Sequence, residues 1–136
     1  MKYVVKGNGI IVIGEDGEDL FLILKALKDA KDTPETMVVT SALGMLKEVK
    51  VGYWNGDHYE IHEFKEPVEL LGISGQISKT ADPFYHFHLL MGTSSGKAVG
   101  GHFLEARVCN TLELFLMGIL HPIKRVKKGN LKLIEL

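Results

Sequence analysis

The stretch PFYHFHLLMGTSSGKAVGGHFLEARV, residues 83–108, decides how this chain folds. Half of the six histidines in the sequence lie in it, at His86, His88 and His102, on either side of a run of small residues. Histidines at i and i+2 on a strand point to one face, roughly 6–7 Å apart along it. A three-residue hairpin loop is commonly a type I turn followed by a left-handed residue, usually glycine. Taking Ser94-Ser95-Gly96 as that loop puts Gly96 at the left-handed position and sets Thr93 against Lys97. Counting outward then sets His88 opposite His102, and directly opposed residues share a face with Cβ atoms roughly 5 Å apart. On this register the three imidazoles converge. The Gly100-Gly101 pair is the alternative, because glycines inside a strand often mark a bulge, which would turn His102 to the other face.

Outward from the hairpin, the chain reads as short strands and one helix. GIIVI, residues 9–13, is an apolar strand. The acidic GEDGEDL suits a helix start, where the positive end of the dipole sits. Leu20, Ile23, Leu24 and Leu27 have helical spacing, which predicts an amphipathic helix from about Asp19 to Asp29 that is closed off by Pro34. After Pro34 the pattern turns to strands: TMVVTSAL, broken by Gly44, then LKEVKVGYW. A turn at Asn55-Gly56-Asp57 follows, then HYEIHEF with Tyr59 and Ile61 alternating against polar partners, VELLGISGQIS, the two arms of the hairpin, and TLELFLMGIL. Short turns imply antiparallel pairing. The expected fold class is α+β: a mostly antiparallel sheet of about seven strands, curling toward a barrel, with one main helix, in a single domain over residues 1–136.

Composition bounds the function. With 46% hydrophobic and 24% charged residues the chain can bury a core without disulfide or metal staples. A net charge of −1 argues against a broadly basic, phosphate-binding surface. The single cysteine, Cys109, excludes an internal disulfide and makes a cytoplasmic setting the expectation. No signal peptide is expected, and no apolar run approaches the roughly 20 residues of a membrane span.

Three imidazoles with a water form an open tetrahedral zinc site, and H-x-H with a third histidine 14 residues on suits one. The spacing alone equally suits partly buried sheet histidines hydrogen-bonded to their neighbours. Glu105 and Glu113 are candidates for a fourth ligand or general base, against the plainer reading of Glu105 as a partner for Arg107. Cys109 reads as a small core residue rather than a nucleophile. His58 and His62 beside the turn read as solvent-facing, and His121 as a strand end. The glycines of GNG and GEDGED lack the lysine and hydroxyl residue of a phosphate loop. The basic IKRVKKGNLK reads first as a lysine-protected edge strand and second as a contact for nucleic acid or an acidic partner.

HFHLLMGTSSGKAVGGHFLEARVCNTLEL closely resembles the signature of the plants-and-prokaryotes conserved (PPC) domain family, also described as PD1-like DNA-binding proteins. H-x-H, the small-residue turn, G-G-H and T-x-E all match, as do the upstream SALGMLKEVKVGYW and VELLGISGQIS, so the resemblance covers nearly the whole chain. It implies an antiparallel sheet with one helix, assembly as a homotrimer, and zinc held by His86, His88 and His102. Plant members join an AT-hook to the domain, and the hook supplies most DNA affinity. No R-G-R-P-type motif occurs here, which leaves DNA binding weakly supported. Ala42 and Met45 in SALGML, and Ala106 in LEARV, stand where smaller residues are usual in the family. The reading that follows is a non-catalytic assembly and binding module with a DNA-associated regulatory role or a small-molecule ligand. The alternative is a zinc-dependent enzyme that activates water against a small substrate. Both faces of the hairpin carry apolar residues, Phe84 and Leu104 on one and Phe87 and Phe103 on the other, and a subunit interface would cover what one helix cannot.

Overall fold

In the computed structural model, which describes residues 1–135, the hairpin forms in the register that the turn arithmetic gives. In chain order the elements are β1 (Lys2–Lys6), β2 (Gly9–Glu15), α1 (Leu20–Asp29), β3 (Thr36–Trp54), β4 (Tyr59–Phe64), β5 (Val68–Ser78), β6 (Tyr85–Gly92), β7 (Ala98–Ile119), β8 (Lys124–Lys128) and β9 (Leu131–Glu135). Seven strands form one antiparallel sheet in the order β1-β2-β7-β6-β5-β3-β4, and β8 and β9 form a separate hairpin. A further pairing of β7 with β3 closes β3, β5, β6 and β7 on themselves, so the sheet is a barrel with β1-β2 and β4 as wings. The α+β expectation holds, with every strand pair antiparallel.

The barrel depends on two strands longer than their sequence suggests. TMVVTSAL and LKEVKVGYW are one 19-residue strand, β3, because Gly44 bends it without ending it. Register shifts on either side of Gly44 and around Lys47–Val51 absorb the curvature. The second hairpin arm and TLELFLMGIL are likewise one strand of 22 residues, β7. It passes through Asn110 at φ 63, a left-handed conformation that asparagine tolerates. Length lets each strand pair with one set of neighbours in its first half and another in its second.

Helix α1 matches the spacing that predicts it, with Leu20, Ile23, Leu24 and Leu27 buried against β5 and β7. Asp19 is its N-cap, and its carboxylate accepts from the Phe21 N–H at 2.8 Å. The rest of the acidic run lies outside the helix, whose first turn has no acidic residue. Glu18 instead pairs with the N-terminal ammonium. Asp16 accepts from Lys47 Nζ at 3.0 Å and from the Asn110 N–H at 2.8 Å. These ties pin the loop before α1 to β3 and β7. No described helix is long and apolar enough to cross a membrane.

Candidate metal centre

Alternation along β6 sends Phe87, Leu89 and Met91 into the barrel and leaves His86 and His88 on its outer face. The turn between β6 and β7 has Gly96 at φ 78, with Thr93 and Lys97 bonded across it at 2.9 Å. His88 therefore stands directly opposite His102.

The Gly100-Gly101 pair does not bulge: pairing with β6 runs unbroken from His88–His102 to Gly92–Ala98. The glycines serve close approach instead. A Cβ on Gly100 would run into the Leu89 carbonyl oxygen, and one on Gly101 would sit 2.9 Å from the carbonyl oxygen of Gly52 on β3. The register shift nearby is in the pairing of β7 with β3 and leaves Leu104 as the extra residue, between Phe103 opposite Val51 and Glu105 opposite Lys50. His102 consequently keeps the face that His86 and His88 occupy.

The three residues offer nitrogens that all lie within 4.8 Å of one another. His86 Nε2 and His88 Nε2 are 3.2 Å apart. With zinc–nitrogen bonds of about 2.0–2.1 Å, two ligands of a tetrahedron stand roughly 3.3 Å apart, so this pair is spaced as zinc ligands would be. His102 Nδ1 is buried with no hydrogen-bond partner among the described residues. A buried polar atom without a partner is rare and costly, and a metal is one way to satisfy it. Burial above all, then His86, His88 and Arg125, pushes the His102 imidazole down to about 4. Burial, followed by His88 and Arg125, also lowers His86. Both rings are thereby held in the neutral form that binds metal. The donor set and the His86–His88 spacing suit a metal ion.

A second set of residues completes the site, and pattern reading did not single them out for it. The Tyr59 ring stacks on His102 at 4.6 Å and 14°. Gly52 is paired with both His102 and Ile61, and a Cβ there would meet Tyr59 Cδ1 at 2.6 Å, so glycine lets the ring lie flat across the strand. Trp54 meets Tyr59 edge-on at 5.2 Å. Arg125 and Leu131 reach the site from the β8–β9 hairpin. That hairpin is held by Lys132 on Asp82 at 2.7 Å, and the segment before it by Thr36 and Ser78 hydroxyls on the carbonyls of His121 and Ile123. On the wing strand β4, Tyr59 is half-buried against His102 and Ile61 is exposed.

The other candidates lie elsewhere. Glu105 pairs with Lys50 at 2.8 Å, and Arg107 pairs with Glu48 at 3.2 Å rather than with Glu105. Glu113 is on β7 opposite Ile13 and Leu43, away from the histidines. His58 is tied to Asn55 and Asp57, and His62 is exposed. Cys109 is a half-buried free thiol.

A model of the Plants and Prokaryotes Conserved (PCC) domain matches residues 1–119. Among solved structures, a plant- and prokaryote-conserved (PPC) protein from Pyrococcus horikoshii is 26% identical with a TM-score of 0.82, covering 99% of this chain and 95% of that one. A metal-containing protein from Archaeoglobus fulgidus is also 26% identical, with a TM-score of 0.79 over 98% and 95% of the two chains. A protein from Bacteroides thetaiotaomicron, named a putative DNA-binding protein, is 22% identical with a TM-score of 0.87 over 98% and 96%, a likeness of fold. None of the curated proteins matches the sequence.

Proposed function

The chain belongs to the Plants and Prokaryotes Conserved domain family, and from that premise we propose that it is a cytoplasmic, homotrimeric module whose His86, His88 and His102 hold a zinc ion, and that it works by assembly and binding rather than by catalysis. The convergence of three imidazoles on one barrel face, His86 and His102 held neutral by burial, carries the reading. A similar protein from Archaeoglobus fulgidus is described as metal-containing, which supports it. Zinc on three histidines supplies a Lewis-acidic position open to one more ligand. The alternative, hydrolysis by a metal-activated water, calls for a nearby base. No Asp or Glu lines the histidine cleft among the described residues, so the binding reading is preferred.

The trimer is supported by the outer face of β1, β2, β7 and β3, neighbours in the sheet. Val4, Ile11, Ile13, Met117 and Leu43 are all exposed there, an apolar surface suited to a partner copy. A DNA-associated role is supported by the name of the fold relative from Bacteroides thetaiotaomicron, and by the basic β8–β9 hairpin with Lys124, Lys127 and Lys128.

Elemental analysis of the purified protein tests the metal directly. One zinc per chain, lost in His86→Ala, is the expected result, and wild type without stoichiometric transition metal removes the reading. Light scattering should give three times the 15.1 kDa chain mass. Retention on duplex DNA that weakens as salt rises would support the DNA role, and no retention at low salt would remove it.

A further inference from the structure

A cleft runs from the three histidines to the β8–β9 hairpin, and its charges do not balance. Its two adjoining lobes, of about 420 and 360 Å³, share Trp54, Tyr59, His86, His102 and Leu131. The cationic side chains in the lining are Arg125 and Lys132. Lys132 is neutralised by Asp82 at 2.7 Å. Arg125 is half-buried, and among the described residues it has no carboxylate partner: its guanidinium donates to the Lys132 carbonyl at 3.2 Å. A cleft of about 420 Å³ beside the start of α1 shows the contrast. There Lys50 and Arg107 are matched by Glu105 and Glu48 within the lining itself. A divalent ion on three neutral imidazoles would add two positive charges beside Arg125, in a partly desolvated place. Uncompensated charge in such a place is costly.

We propose that this cleft is a receptor for a small organic anion, a carboxylate carried on a flat, apolar body. Its head lies between the metal and Arg125, whose planar fork matches a carboxylate with two parallel hydrogen bonds. Its body lies among Trp54, Tyr59 and Leu131, two aromatic rings and an aliphatic side chain that line the cleft. The carboxylate supplies the negative charge that the lining lacks, and the rings supply an apolar slot for what carries it. This assignment rests on the zinc reading of the histidines.

Trp54 is the only tryptophan of the chain, so its emission reports on the cleft. Zinc-loaded protein titrated with benzoate should show a saturable change in emission and a matching heat, and benzyl alcohol should show neither. Arg125→Gln, with zinc content and far-ultraviolet circular dichroism unchanged, should weaken benzoate by about tenfold or more. Arg125→Lys should fall between the two, because it keeps the charge and loses the fork. Wild-type affinity in Arg125→Gln overturns the proposal, as does saturable binding of inorganic phosphate with none of benzoate. A cobalt(II) titration separates this failure from failure of the metal site. Cobalt absorption that develops but ignores benzoate removes the anion receptor alone, whereas no cobalt absorption removes the metal reading on which it rests.

Discussion

On β6, Phe87, Leu89 and Met91 turn inward and are buried, while His86, His88 and Leu90 turn outward. On β7 the same division separates Phe103, which is wholly buried, from its neighbour His102. Each inward side chain removes apolar surface from water, a gain of roughly 1.5–3 kcal/mol for a residue of this size. The outward set offers no such gain. It crowds three imidazoles together and leaves His102 Nδ1 without a partner among the described residues, in a ring that burial pushes down to about 4. The comparison teaches that one hairpin does two jobs at alternate residues. The inner face holds the barrel closed, and the outer face is arranged for something that stability does not require. The glycine pair serves both, since it brings β6, β7 and β3 close enough to close the barrel and thereby fixes where His102 points.

The strongest way to break this division is Phe87→Ala. Truncating a fully buried phenylalanine should lower unfolding free energy by about 3–5 kcal/mol, read from urea denaturation. Zinc affinity should fall only as the population of folded protein falls. If Phe87→Ala abolished metal binding in protein that remained folded, the two faces would not be separable.

His88→Ala tests the opposite side. In metal-free protein it should change stability by less than about 0.5 kcal/mol, as expected for an exposed side chain. Added zinc at a hundred times its dissociation constant should stabilise wild type by about 2.7 kcal/mol, and the variant should lose that gain. Equal stabilisation of both proteins by zinc would place the metal elsewhere.

Gly100→Ala sharpens the comparison where the faces meet. The added methyl collides with the Leu89 carbonyl, so the strands must shift, at a cost of about 1–3 kcal/mol. Zinc affinity should fall as well, because the shift moves His102 relative to His88. A variant that loses stability but keeps full zinc affinity would show that His102 does not depend on this close approach.

Much of this was legible from local pattern. The helix followed from Leu20, Ile23, Leu24 and Leu27, since a period of 3.6 is a property of neighbouring residues. The hairpin followed from Gly96, because turn length and one left-handed residue set the register of both arms. Other features were not legible. Gly44 reads as a break, yet β3 continues through it, because pairing to β5 and β7 rewards continuity that propensity does not see. The acidic run reads as a helix start, yet all but its cap serve contacts to the N-terminus, β1, β3 and β7.

The sequence by itself therefore determined the hairpin turn and the shared face of His86 and His88, because strand period and turn geometry act over a few residues. Only the tertiary structure decided that Gly100 and Gly101 pack rather than bulge, since the atoms that fill their missing side chains belong to Leu89, Gly52 and Val51. It likewise decided that Tyr59, Trp54 and Arg125 surround the site. They come from three separate elements, and only closure of the barrel and folding back of the β8–β9 hairpin bring them to the histidines.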